Sequence, residues 1–405
     1  MEKPNIFDLK LKIFNYFQTY TNLDKTSDGF GLSLDHSKNL EVASIASTGF
    51  YLSSLVIGVE NHFISYEQAF EQALLTLKNL YEHVENYKGF YFHFYDFKSG
   101  KRFKKNEVST IDTTLCLCGV ISVASYFKKE IEVLGQKIID RVDWQYFIFN
   151  KNNKSYLHMA YNPDKDGDYA NGKSGFIHQW DMFAEQLAMY IFVANSLPEQ
   201  ALKLYEDFDR TYAFDGENRY ILTPGNTLFV YQFPLCWLDL EHIIDRQGIC
   251  WYDNAKQATL SHQKCSLSYS DKFKTFSKLR FGFTANHTPK GYRVFQALPN
   301  LNGQLKTDGT VSPCSSLGSF VLTPKLSKMS FDDMLDIKGL YGPYGFYDGF
   351  NFENGESWIS DRYYGINQGL ILLMIDAATQ KSVYKAFMHH PNIKHGMEVL
   401  QWRKK

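Results

Sequence analysis

The sequence has almost no net charge: Lys plus Arg number 43 against 44 Asp plus Glu in 405 residues, a balance of −1. No bulk field is available to recruit nucleic acid or an anionic membrane surface. Cysteine is also scarce. The six present (Cys116, Cys118, Cys236, Cys250, Cys265 and Cys314) fall in no CxxC or Cys/His zinc spacing, which favours free, buried thiols over a disulfide or a metal module. Apolar runs are short, the best being Gly369 to Ile375, far below the roughly 20 residues that span a bilayer. The start of the chain, Met1-Glu-Lys-Pro-Asn-Ile-Phe-Asp-Leu-Lys, lacks the apolar run and small-residue cleavage site of a secretory signal. As numbered, the chain reads as soluble and cytoplasmic, or as periplasmic or secreted if a signal was removed before numbering. The G-x-S-x-G, P-loop and strand-linked G-x-G-x-x-G signatures are missing too, so serine hydrolase, NTPase and dinucleotide chemistry lose support. What the chain has in excess is ring surface: Tyr 27, Phe 33 and Trp 6. Sugars are often held by such rings.

Hydrophobic periodicity points to paired helices. Glu41 to Glu60 carries Ile45, Leu52, Val56 and Val59 at helical spacing among small residues, as an inner helix would. Ser65-Tyr-Glu-Gln68 is a capping box, and Ala69, Ala73, Leu77, Leu80 and Val84 stripe one face of an outer helix. The alternation continues with Ser109 to Tyr126 inside and Glu130 to Ile148 outside, then Asp181 to Ala194 inside and Glu199 to Tyr212 outside. Next come Asn226 to Leu240 with Trp251 to Tyr269, Ser312 to Leu322 with a capped helix from Ser330, and Ile366 to Ala378. With an opening helix near Ile6 to Tyr20, the pattern predicts about twelve helices in six pairs, an all-α (α/α)6 toroid in one domain spanning residues 1–405. An open superhelix of stacked hairpins is the rival. Phe281 to Thr310, rich in Gly, Asn, Pro and aromatics, reads as a long loop or short strands over one rim.

In such a ring the inner helices run parallel, and their N-termini gather on one face with unpaired N–H groups and aligned dipoles. The residues at those starts are Asp35-His36, Glu107 to Asp112, His178-Gln-Trp180-Asp181 with Glu185, Gly225-Asn226, Asp308-Gly-Thr-Val311, and Asp361-Arg362-Tyr-Tyr364 to Gln368. Most carry a carboxylate. Each has a plainer reading: Asp308 and Asp361 as turn formers, Glu107, Asp112 and Asp181 as helix starters, and Glu185 as a bonded core group. His36, His178, His93, His158 and His242 read as structural or substrate-contacting, because no ligand spacing supports a metal. Carboxylates with aromatics and no cofactor motif suit glycoside cleavage, in which one carboxyl protonates the leaving oxygen and a second activates water or attacks.

Several segments, in order, carry a resemblance. They are Ala43-Ser-Ile-Ala-Ser-Thr-Gly-Phe50, Gly89-Phe-Tyr-Phe-His-Phe94 leading to Glu107-Val-Ser-Thr-Ile-Asp112, Trp180-Asp181 with Glu185, Trp237-Leu-Asp239, Asn254 to Thr259, Asp308-Gly-Thr-Val311, Tyr344 to Asp348 and Gly365 to Leu373. Together they resemble the bacterial glucoamylase-like family, whose relatives include endo-β-1,2-glucanases and the processing domain of cyclic β-1,2-glucan synthases. The resemblance implies a six-hairpin α/α toroid, no metal or organic cofactor, and cleavage of β-glucan or gluco-oligosaccharides, often with inversion. It also implies Glu107 as general acid and Asp308 as the carboxylate that activates water. Asp35, His36, Asp112, His178, Trp180, Asp181, Glu185, Arg362, Tyr364 and Gln368 would line the cleft. One segment departs from the pattern: Tyr231-Gln-Phe-Pro-Leu-Cys-Trp237 stands where relatives are rich in histidine. That departure motivates two alternatives on the same fold, a catalytically weak glycan-binding toroid and a transglycosylase on β-1,2-glucans. A uronic-acid lyase would want a basic cleft, and this rim is acidic.

Overall fold

The computed structural model describes residues 3–164, 174–353, 355 and 357–405. Among them are fourteen α-helices: α1 Ile6–Tyr20, α2 Ile45–Glu60, α3 Tyr66–Glu82, α4 Thr110–Phe127, α5 Lys129–Asp140, α6 Leu187–Ser196, α7 Pro198–Asp207, α8 Phe229–Gln232, α9 Trp251–Ser268, α10 Pro313–Leu317, α11 Pro324–Leu335, α12 Gly365–Thr379, α13 Ser382–Met388 and α14 Pro391–Val399. Short strands connect them, mostly as two-stranded ribbons.

Local chemistry sets the helix starts. Asn5 caps α1 in a reciprocal box with Asp8, and Ser65 caps α3 with Gln68, as the sequence predicts. Proline opens α7, α10, α11 and α14, where a missing N–H costs nothing. That proline corrects one expectation. The helix expected from Ser330 begins six residues earlier, at Pro324, and Ser330 lies buried within it.

Helices α2, α4, α6 and α12 are buried around nearly their whole circumference, whereas α3, α5 and α7 bury one stripe. For these seven helices the division read from periodicity into buried and one-sided helices holds. Helix α4 is long and apolar enough to cross a bilayer by length and composition, yet it lies inside the protein as a core helix, a stretch the search for apolar runs passed over. It packs most closely on α2, and glycine sets the distance. A Cβ on Gly119 would stand 2.2 Å from the Gly49 carbonyl oxygen, and one on Gly49 2.2 Å from that of Leu115. No larger side chain fits either position.

Three inner segments are shorter than predicted. Asp181 to Gln186 is irregular before α6 begins, and Ser312 to Leu322 keeps only α10. Asn226 to Leu240 becomes α8 followed by the 3-10 turn Phe233–Cys236, where Pro234 supplies no N–H. Glu130 to Ile148 ends as helix at Asp140 and continues into a 3-10 turn and the strand Ile148–Lys151. That strand pairs with Lys154–Tyr161, which also pairs with Phe176–Gln179 and Val108–Ser109. This sheet carries the chain into the start of α4. Residues 281–310 hold the hairpin Ala285–Thr288 with Gly291–Val294, the short strands expected over a rim.

Candidate active site

Four buried helices begin beside one another, and hydrogen bonds tie the segments leading into them. Ser109 caps α4, accepting from Asp112 N, and its hydroxyl donates to the Asp112 carboxylate. Trp180 Nε1 donates to Thr110 Oγ1 over 3.0 Å, fixing the approach to α6 against the start of α4. Asp35 takes its backbone bond from Gly365 N, 2.9 Å away at the start of α12, and gives one to Val42 O, just before α2. Asn367 Nδ2, in the first turn of α12, donates to Asp348 Oδ1 over 2.7 Å.

His93 stands at the centre. Its Nδ1 lies 3.0 Å from Glu107 Oε1 and its Nε2 lies 3.7 Å from Asp112 Oδ1. Burial disfavours its charge, but Asp112, Glu107 and Asp35 outweigh burial and raise the imidazole to about 9. The ring is therefore a cation at neutral pH. Around it three acids are also raised, which for a carboxyl favours the neutral form. Burial raises Asp35 to about 6, with His93 opposing and Asp112 reinforcing. Burial raises Glu185 to about 7, and the charge of Asp112 adds to it. Burial raises Asp348 to about 7 against the bonds from Asn367 and His287 N. Asp348 is sealed from solvent, whereas Asp35, Glu185 and His93 are crowded by protein on most sides yet keep an edge that solvent reaches. Solvent therefore reaches part of this carboxyl and imidazole group.

Rings form one wall. Tyr292, on the rim hairpin, is 44% exposed and its ring centroid lies 4.8 Å from that of Tyr364, which in turn lies 5.0 Å from the His36 ring. Burial, Arg362 and His287 depress His36 to about 4, so it is neutral. His287 lies 5.3 Å from Trp358, centroid to centroid, and bonds Ser360 Oγ through Nδ1.

The predicted residues thus divide. Asp35, His36, Glu107, Asp112, Glu185 and Tyr364 come together, with Arg362 beside them acting on His36 and Asp348. Trp180 is buried and serves as an anchor. Gln368 is also buried, bonding Phe346 O. His178 is exposed at a strand end with φ +46, and Asp181 accepts from Gln179. Of the two residues expected to carry the chemistry, Glu107 pairs with His93, Oε1 to Nδ1 at 3.0 Å. Asp308 Oδ1 accepts from Thr310 N at 3.0 Å and Thr310 Oγ1 at 2.6 Å, closing a turn.

Sequence reasoning passed over His93, Tyr292, His287 and Asp348 as site residues. His93 reads from sequence as a lone histidine, and Tyr292 sits in a loop with no period; only its exposed ring in a rim insertion marks it. The unusual Tyr231 to Trp237 segment is buried throughout, with Tyr231 bonded to Asn226, Gln232 to Ser315 and Ser319, and Trp237 to Ser53. Among the described residues, no group of three or more His, Cys, Asp or Glu side chains is arranged to hold a metal.

Comparison with known proteins gives a consistent set of likenesses. The Glycoamylase family model matches residues 177–391. Exo β-1,2-glucooligosaccharide sophorohydrolase (non-reducing end) of Parabacteroides distasonis is 24% identical over 395 residues, covering 89% of this chain and 53% of that protein. The chain thus spans about half the length of that curated relative. The endo-β-1,2-glucanase of Chitinophaga pinensis, solved with sophorotriose and glucose, superposes with a TM-score of 0.84 at 22% identity, covering 100% of this chain and 99% of the other. The β-1,2-glucanase of Parabacteroides distasonis gives 0.81 at 20%, covering 98% and 60%. The endo-β-1,2-glucanase of Talaromyces funiculosus gives 0.66 at 12%, covering 97% and 90%. These structural likenesses establish a shared fold.

Proposed function

The chain belongs to the Glycoamylase family, and from that premise we propose that it is a glycoside hydrolase acting on β-1,2-linked gluco-oligosaccharides or glucan. The fold reading that goes with it is a ring of six helical hairpins. In that ring α2, α4, α6, the α8 segment, α10 and α12 form the inner set. The packing of α2 against α4 and α12, of α4 against α6 and of α10 against α12 supports that order.

The observation that carries the reading is the split between two carboxyls that both feel the charge of Asp112. Burial raises both Glu185, to about 7, and Asp35, to about 6, and of the two only Asp35 is opposed by the charge of His93, which favours its ionised form. Acid and base assignments follow from such a separation. Glu185 donates its proton to the glycosidic oxygen as the bond from that oxygen to the anomeric carbon breaks. Water attacks the anomeric carbon from the opposite face and passes a proton to Asp35, so that the product is formed with inversion. Glu107 and Asp308, which the resemblance implies for the two roles, are the alternative assignment. Between pH about 6 and 7 both groups hold their working states, which predicts a bell-shaped profile centred there. Tyr292 and Tyr364 offer ring faces to the sugars, and a site without a fixed excess of cations fits a neutral substrate.

The test is incubation with β-1,2-, β-1,3-, β-1,4- and α-1,4-linked gluco-oligosaccharides, with product analysis by chromatography and by NMR of the first-formed anomer. Release from the β-1,2 series with an α-anomer first is the expected result. Binding without product, or cleavage confined to another linkage, overturns the reading; a β-anomer first, or elongated products, overturns its inverting hydrolysis step.

A further inference from the structure

His93 occupies the turn between the strands Phe90–Tyr91 and Phe94–Asp96. The backbone holds it on both sides: His93 N donates to Glu107 O over 3.0 Å, and its carbonyl accepts from Ile45 N at the start of α2. The ring lies flat on Phe94, with centroids 3.9 Å apart and planes inclined by 14°. Held this way, its two nitrogens face two different carboxylates, Glu107 at 3.0 Å and Asp112 at 3.7 Å. An ionised carboxylate only accepts, so both edges are satisfied only when both ring nitrogens carry a proton. The titratable groups facing the ring are Glu107 from the strand ahead of α4, Asp112 from the first turn of α4 and Asp35 from the segment before α2.

The side chains around His93 share one charge balance. Asp112 lies close enough to act on Asp35, on Glu185 and on His93. With the imidazole charged, the trio of Glu107, His93 and Asp112 carries one net negative charge between the two acids. Without it the trio carries two, and the wall takes up a proton somewhere.

We propose that His93 is a positioning residue, an imidazolium clamp that holds Glu107 and Asp112 in place as carboxylates and thereby keeps Asp35 ionised while Glu185 retains its proton. The role rests on the acid and base assignment above. It adds a means of holding two carboxyls that both feel the charge of Asp112 in opposite protonation states, which burial of both alone would not do.

The experiment uses the full-length chain and two readouts. In the first, His93→Gln keeps one N–H donor and removes the charge. Loss of a cation at this range moves a carboxylate by about one unit or more, so the acidic limb of kcat/KM on a β-1,2-gluco-oligosaccharide moves up by about one pH unit. The expected result is a loss of about tenfold at pH 5.5 and almost none at pH 8, with the shift carried by kcat. A uniform loss across the pH range, or an unchanged profile, overturns the proposal. The second readout needs no turnover. In an NMR titration of the histidine rings, His93 in the unaltered protein stays protonated well above the ordinary imidazole range, and Glu107→Gln or Asp112→Asn each bring it down. A His93 ring that titrates at an ordinary value, or ignores both substitutions, overturns the clamp whatever the substrate proves to be. Absence of product with an intact NMR response removes the glucanase reading alone.

Discussion

Replacing Glu185 by glutamine preserves the shape of the side chain and removes its proton chemistry, so it separates what the carboxyl does for turnover from what it costs the fold. Glu185 is raised from 4.5 to about 7 by burial. A folded-state value above the unfolded one means that the native state binds the proton more tightly. Stability from this group is complete below pH about 4.5 and falls as pH rises through 7. About 2.5 units at about 1.4 kcal/mol each give about 3.5 kcal/mol for the cost of the ionised form, brought to about 3 kcal/mol or less by whatever solvent reaches its open edge. Glutamine carries no such cost. At pH 8.5 Glu185→Gln is therefore expected to melt up to about 3 °C higher than the parent, on an unfolding entropy scaled to this chain length, and to match it at pH 4. Activity moves the opposite way. Loss of a general acid removes about 10² to 10⁴ in rate, or about 3 to 5 kcal/mol of barrier lowering. The assay is release of sugar from a β-1,2-gluco-oligosaccharide, repeated on an aryl glycoside whose leaving group needs no protonation. The deficit should shrink by at least tenfold on the aryl substrate. Turnover within threefold of the parent, an equal deficit on both substrates, or a melting shift that does not depend on pH would refute the reasoning.

Asp35→Asn should lower kcat by about 10² or more and abolish the acidic limb near pH 6, while titration calorimetry still detects oligosaccharide binding; retention of that limb would take the base role away from Asp35. Asp308→Ala deletes the bonds to Thr310 and should cost about 1 to 2 kcal/mol in urea unfolding with kcat kept within about threefold, and a collapse of kcat in a folded variant would restore Asp308 to the chemistry. Tyr292→Ala removes an exposed ring face of roughly 40 Å² at about 25 cal/mol/Å², so KM should rise about fivefold with kcat little changed; a kcat effect alone would place the ring elsewhere in the reaction. Trp180→Phe loses the bond to Thr110 and should cost about 1 kcal/mol of stability, and an unchanged melting curve would show that the bond contributes nothing net.

Much of the helical frame was legible because it follows from local rules. Apolar residues all round mark α2, α4, α6 and α12 as interior, one-sided stripes mark α3, α5 and α7 as exterior, and the Ser65 and Gln68 box marks where α3 begins. The same rules placed Asp35, Glu107, Asp112 and Glu185 at helix starts. They misjudged the lengths of the α8 and α10 segments, where Pro234 and the tertiary path override the period, and they omitted α13 and α14 beyond the last apolar run.

Roles within the cluster were a different matter, because a carboxyl's proton affinity depends on what surrounds it and not on its own neighbours in the chain. The pairing of His93 with Glu107, fourteen residues further along the chain, and the bonds that Asp308 accepts within its own turn are not visible in the sequence. The sequence by itself determined which residues are apolar, where helices can start and how many carboxylates stand at those starts. Only the tertiary structure decided which of those carboxylates share a cation, which are starved of solvent and which ring faces remain open, since charge, burial and exposure are sums over atoms brought together from distant parts of the chain.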